Sequence, residues 1–220
     1  MSKQNHKRPG CVDVFRSYLV NDASFAGDLE IPVIHPTTVV PKKIAPFSQA
    51  ISAKNRDLWV HFYEDDVKFE RVWNNPKRYL EILSGFEGVI APDFSVYRDM
   101  PLVMQFWNIY RSRAIAHALQ SRGVTVIPNL RFGDRRTWEA CCLGISKRSV
   151  IAVGSYGNIK NVEDRRHFTD GLDYVSNRIK PCAIVFYGST PDSILRKLQG
   201  AGIATISFES TFSQSRKRSR

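Results

Sequence analysis

Several signatures that would settle the chemistry at once are missing from these 220 residues. The four cysteines, Cys11, Cys141, Cys142 and Cys182, contain no CxxC spacing, which excludes zinc ribbons and dithiol redox motifs. The five histidines (His6, His35, His61, His117 and His167) form neither HxH nor HExxH, so no zinc centre is expected, and no metal or other cofactor is called for. GxxxxGKS and GxGxxG are absent, as is the GxSxG elbow of a nucleophilic serine. No stretch approaches the roughly 20 apolar residues of a membrane helix. The polar start MSKQNHKRPG has no apolar run behind it, unlike a secretory signal. Together these absences lead us to expect a cytoplasmic protein with reduced thiols and no membrane partner. Oligomeric state has no signature in the chain.

Acidic residues are missing from both ends. Residues 1–10 hold Lys3, Lys7 and Arg8, and residues 211–220 hold Arg216, Lys217, Arg218 and Arg220, with no acid in either segment. These ends carry seven of the eleven net positive charges, leaving +4 on the 200 residues between them. The polycation is therefore in the tails, and such arms commonly touch phosphates. Hydrophobic residues at 43% and aromatics at 11% supply enough apolar surface for a folded core. The chain divides into a flexible basic arm (1–10), an irregular lead-in (11–57), one α/β domain (58–210) and a basic tail (211–220). In the lead-in, Pro32, Pro36, Pro41 and Pro46 break any helix and leave room for one or two short strands or a covering loop.

From Leu58 onward, apolar strands alternate with amphipathic helices. Strands are predicted at Leu58–Tyr63, Val89–Ala91, Val124–Ile127, Val150–Val153, Ala183–Phe186 and Ile203–Phe208. Helices are predicted at Phe69–Leu83 (interrupted at Pro76), from Pro101 to a stop at Gly123, weakly at Thr137–Leu143, at Val162–Ile179 and at Pro191–Leu198. Near-continuous apolar strands point to a largely parallel sheet covered by helices. Two architectures fit these repeated βα units: an incomplete or modified TIM-barrel-like arrangement, which we favour, and an open doubly wound sheet. A barrel would gather the polar strand tips into one ring.

Those tips hold the candidate site. Asp66 follows the first strand, Asp93 and Ser95 the second, and Asn129, Arg131 and Asp134 the third. Ser155 and Asn158 follow the fourth, Tyr187 and Ser189 the fifth, and Glu209 the sixth. Asp93 beside a second carboxylate suits acid–base hydrolysis, since one carboxyl can stay protonated while its neighbour ionises. The same Asp could equally cap its own turn. In the following helix, Asn108, Arg111 and Ser112 share a face. Arg111 aimed inward would pair with Asp93 or serve as a structural ion pair. We therefore carry Asp93, Asn129, Asp134 and Arg111 as candidate catalytic residues. Gly154-Ser155-Tyr156-Gly157 and Tyr187-Gly188-Ser189-Thr190 are either anion-binding turns or simply tight ones. His61 is read as a core histidine or, less simply, a general base. A basic segment after the third strand (Arg131, Arg135, Arg136, Lys147 and Arg148), with Phe132 and Trp138 interleaved, suits single-stranded nucleic acid or a solvated loop. With Arg216, Lys217, Arg218 and Arg220 it forms the candidate nucleic-acid-binding set.

The runs GVIAPDFSVYRDMP, NIYRSRAIAHALQSRGVTVIPNL, SVIAVGSYG and IVFYGS, spread over roughly residues 57–208, resemble an uncharacterised family catalogued as domain of unknown function 4417. The resemblance implies a bacterial, phage or plasmid setting and assigns no catalytic residue. Three functions follow as expectations. The first is a mobile-element protein that binds or acts on nucleic acid through basic tails and a basic tip loop. The second is a TIM-barrel-like hydrolase centred on Asp93, and the third a non-catalytic factor with a protein partner.

Overall fold

A computed structural model describes residues 15–155 and 161–210. The lead-in forms a short 3-10 helix (Ser17–Val20), an antiparallel pair β1 (Phe25–Ala26) and β2 (Ile31–Pro32), and a third strand, β3 (Ile44–Pro46). The remaining order is α1 (Phe47–Ala50), β4 (Trp59–His61), α2 (Asp66–Asn74), α3 (Pro76–Leu83), β5 (Gly88–Ile90), α4 (Leu102–Gln120), β6 (Val126–Ile127), α5 (Arg135–Cys142), β7 (Val150–Gly154), α6 (Val162–Ile179), β8 (Ala183–Tyr187), α7 (Asp192–Gly200) and β9 (Ala204–Phe208). Pro76 starts α3 under the Asn75 side chain, which accepts from Arg78 N, so the long apolar run splits into two helices at that proline. No helix among the described residues is long and apolar enough to cross a membrane.

Strands β3-β4-β5-β6 form one parallel sheet and β7-β8-β9 another. A single parallel bridge, Asn129 to Ala152, joins them, with Leu130 N donating to Ala152 O and Ala152 N to Pro128 O, both at 2.9 Å. Seven strands therefore run side by side in chain order, without the reversal that defines a doubly wound sheet. The sheet is strongly curled. Tyr63, just past β4, stacks on Tyr187 at the end of β8 with ring centroids 4.7 Å apart. Four strand spacings in a flat sheet would separate them by roughly 19 Å. Among the described residues β3 and β9 do not pair, so the ladder stays open. The parallel α/β expectation holds, in an open sheet. β3 was not anticipated as a member of that sheet; it lies in the stretch read as irregular, and it ends in Pro46, whose missing N–H is tolerated at an edge.

Side chains alternate across this curl with period two, although both faces are apolar. Val60, Val89, Val126, Ile151 and Ile184 point outward under the helices. Trp59, Ile90, Ile127, Val150, Ala152, Ala183 and Val185 point inward, joined by Ile44, Tyr63, Ile206 and Phe208. The inner cluster contains no helix residue, so the concave face is filled by the sheet itself. Trp59 plugs its amino-terminal end, fully buried against Gly88. The lead-in covers the same end, where Val150 N donates to Thr37 O and Trp59 N to Lys43 O. Every strand tip thus faces away from a stoppered base.

A Cβ at Gly88 would lie 2.6 Å from the Trp59 indole, a distance no side-chain carbon sustains. Gly88→Ala should therefore destabilise the fold by roughly 1–3 kcal/mol. The check is the urea midpoint at unchanged slope. Adding Trp59→Phe, which withdraws the ring that collides, should recover part of the loss.

Candidate active site

The tip after β5 begins Pro92-Asp93-Phe94-Ser95. Phe94 is 1% exposed and packs on Phe69 of α2, which turns the neighbouring Asp93 toward the concave side. Asp93 is 8% exposed. Asn129, past β6, donates its Nδ2 to Asp93 Oδ1 at 2.6 Å and accepts at its Oδ1 from the Tyr63 hydroxyl at 2.9 Å. Arg131 Nη1 reaches Asp93 Oδ2 at 3.4 Å. A row Tyr63–Asn129–Asp93–Arg131 therefore crosses three strand ends. Gly154 closes the fourth side, because a Cβ there would lie 2.9 Å from the Tyr63 ring and 3.8 Å from Asp93 Oδ2. Its missing side chain permits that close approach.

Burial is the main reason the Asp93 carboxyl is pushed up to about 6. Arg131 and the Asn129 amide hold it back, and the Asp66 charge adds to the rise. The buried Tyr63 hydroxyl is held well above its ordinary value, first by burial and then by the Asp93 charge. His61 is pushed down to about 3 by burial alone; its Nδ1 accepts from Tyr63 N and its ring lies 4.5 Å from that of Tyr187. It is a neutral core histidine that orders the aromatic floor.

Helix α4 supports this row from behind with a buried polar face. Asn108 Nδ2 donates to Ser95 O at 2.6 Å, and Ser112 Oγ to Pro92 O at 2.6 Å. Arg113 Nη1 donates to Asn129 O at 3.1 Å and its Nη2 to Cys141 O at 2.7 Å. Arg111 lies elsewhere: it pairs with Glu70, donates to Asn108 Oδ1 at 2.7 Å, and stacks 3.9 Å over Phe94. It therefore does not reach Asp93. Asp134 is also outside the row, since it caps α5 by accepting from Arg136 N at 3.0 Å and pairs with Arg136 Nη2 at 2.8 Å. Ser155 is buried and donates to Ser189 O at 2.8 Å, a structural bond. Asn158, Tyr156 and Gly157 lie outside the described residues.

The row forms one wall of a cleft of about 900 Å³. Tyr63, Asp93, Arg131, Gly154, Tyr187 and Ser210 bring one residue each from the ends of β4 through β9. The tips do converge. The rim is acidic: Glu64, Asp65, Asp66, Asp99 and Asp164 join Asp93, against Lys68, Arg98 and Arg131. Each of those cations already faces a carboxylate, Lys68 with Asp65, Arg98 with Glu163 and Asp164, and Arg131 with Asp93.

The basic set does not assemble. Arg131 belongs to the Asp93 wall and Arg136 to Asp134, while Arg135 is exposed. Lys147 and Arg148 immediately precede β7, at the opposite end of the strands from the cleft. Phe132 packs near Phe168 and Trp138 on Tyr174, so neither ring is displayed as a free platform. Arg216, Lys217, Arg218 and Arg220 lie outside the described residues. Tyr63 and Arg113 were not singled out from sequence. The first reads as the last apolar residue of a strand, and the second as one arginine among several on a long helix.

Comparison with known proteins adds context. A family model described as domain of unknown function (DUF4417) matches residues 23–209. The Gene 1 proteins of Mycobacterium phages L5 and D29 are each 34% identical over 185 residues, covering 82% of this chain and 80% and 67% of theirs.

The Asp93 environment has a measurable cost. The folded protein holds the Asp93 proton up to about pH 6, whereas the unfolded chain releases it near 3.8. Stability attributable to this group is therefore intact below about 3.8 and falls as pH rises, reaching a deficit of up to about 3 kcal/mol above 6. Losing the carboxylate also leaves Arg131 without its anion, which takes back part of the gain. Asp93→Asn should be about 1–2 kcal/mol more stable than the parent at pH 7.5 and no more stable at pH 4. Urea titrations of both proteins across that range are the measurement.

Proposed function

The chain belongs to the family described as domain of unknown function 4417, which includes phage proteins, and from that premise we propose that it is a cytoplasmic acid–base enzyme of hydrolase type. In this reading Asp93 carries the proton. The observation that supports it is a nearly buried carboxyl, held at about 6, in the wall of a cleft bounded by six strand ends. A group titrating there is half-ionised close to neutral pH, where general acid–base catalysis works best. Ionised Asp93 takes a proton from a water molecule, the water oxygen attacks the electrophilic carbon of the substrate, and the departing group receives that proton as its bond breaks. The Asn129 amide and Arg131 stabilise the carboxylate before the first transfer and after the second. Tyr63 holds Asn129 in the one orientation that presents its amide hydrogens to Asp93.

The rim charge supports a substrate class. The described cations of the cleft are engaged by carboxylates, while Glu64, Asp66 and Asp99 have no cationic partner among the described residues. A phosphate has little to meet there, so the reading selects a neutral or cationic small molecule. A panel of nitrophenyl esters, glycosides and phosphodiesters tests this. Turnover should rise through about pH 6 to a plateau, favour uncharged members, and fall by about 10²–10⁴ in Asp93→Asn. Full activity in that variant would sink the reading.

Contact with nucleic acid is a second reading, supported by the four cations of residues 211–220 and by exposed Arg135. Retention on single-stranded DNA should weaken on deleting residues 211–220, with the slope of log affinity against log salt falling by about 3. An unchanged slope removes this role from the tail.

A further inference from the structure

Arg113 is a cation in an unusual place. It is 1% exposed, and no carboxylate among the described residues pairs with it. Burial pulls its guanidinium down to about 10. A methionine or leucine would fill the same volume without stripping water from a charge. The side chain does not line the cleft, so it does not meet a ligand there. Its two bonded nitrogens both serve backbone carbonyls, those of Asn129 and Cys141, and its Nε has no partner.

The Asn129 carbonyl sits where the sheet is thinnest. Asn129 is the single bridging residue between the two halves of the sheet, and β6 is only two residues long. Its side chain must nevertheless stay 2.6 Å from Asp93. Ser112, the neighbour of Arg113 on α4, fixes the carbonyl immediately before Asp93. Two successive helix residues thus hold the two backbones that meet in the Asp93–Asn129 bond.

We propose that Arg113 is a positioning residue that acts through Asn129 to keep the amide hydrogen bond on Asp93 short. This rests on the reading of Asp93 as the proton-carrying group, but its test does not require activity. The charged and titratable groups facing Asp93 are Arg131 past β6, Tyr63 past β4 and Asp66 at the start of α2. Arg113 reaches Asp93 only by way of the Asn129 backbone. Loosening that backbone lengthens the bond that favours the carboxylate, and the Asp93 proton is then held more tightly.

The measurement is the carboxyl titration of Asp93, followed by carbon NMR in the full chain. Arg113→Met should raise its midpoint by about half to one pH unit above the parent value. Asn129→Ala should do the same. The double variant should titrate with Asn129→Ala alone, because one path cannot be cut twice. Arg113→Lys, which keeps a donor for one carbonyl, should fall between parent and Arg113→Met. If Arg113→Met does not fold, Arg113→Lys and Ser112→Ala give the same upward direction. An Asp93 midpoint that stays put in every folded variant, or effects that add in the double variant, would overturn the proposal and leave Arg113 a packing residue. A functional failure looks different: Asp93→Asn would keep its full rate while these titrations still move together.

Discussion

The site depends on a helix whose polar side is turned inward. Helix α4 buries Asn108, Ser112 and Arg113 against the sheet and gives each a strand-tip carbonyl: Ser95, Pro92 and Asn129. These carbonyls lie beyond the last ladder pairs of β5 and β6, where parallel pairing no longer satisfies them. Buried backbone groups left unpaired are costly, so the side chains of α4 do for the tips what another strand would otherwise do. Because the donors sit on a rigid element rather than on loops, the positions of Asp93 and Asn129 inherit the rigidity of the helix.

The curl of the sheet sets what that rigidity is used for. Were the strands flat, Tyr63 and Tyr187 would never meet, and the ends of β4 and β8 would form separate edges. Curled, they stack, and Tyr63 is carried to Asn129. Small residues make the approach feasible: Gly154 lets the Tyr63 ring lie close to Asp93, as Gly88 lets Trp59 fill the base. Asp93 is then placed among groups that dry it without fully neutralising it. Arg131 pairs with it at 3.4 Å, but burial outweighs that pairing and keeps the carboxyl titratable near 6.

Much of this was legible in the sequence, and the remainder fails for physical reasons. The βα alternation, the start of α4 just after Pro101 and its end before Gly123 follow from periodicity and from proline and glycine signals, which are local. Asp93, Asn129 and Arg131 were recognisable because strand tips in parallel sheets point one way. Asp134 was grouped with them as a tip residue of the same strand, and Arg111 as an arginine aimed inward from the following helix. Arg111 instead finds Glu70 on a helix 41 positions away, and Asp134 is taken by its own helix start. Lys147 and Arg148 seemed continuous with Arg135 along the chain, yet α5 carries them back to the far end of the strands. Arg113 was the hardest to foresee: an arginine between Ser112 and Ala114 on a long helix reads as a surface charge until the sheet closes over it. The place of β3 in the main sheet escaped because three residues ending in a proline carry almost no periodicity.

Trp59 leaves one further mark on the molecule. Its indole stops the curled sheet at the end opposite the cleft, and the lead-in lies across that end as a second cover. The interior of the curl is therefore solid, closed at its base by the indole and filled above it by the inward-facing side chains of the strands. Among the described residues the cleft at the strand tips thus stands on a packed floor, with the sheet's own side chains beneath it.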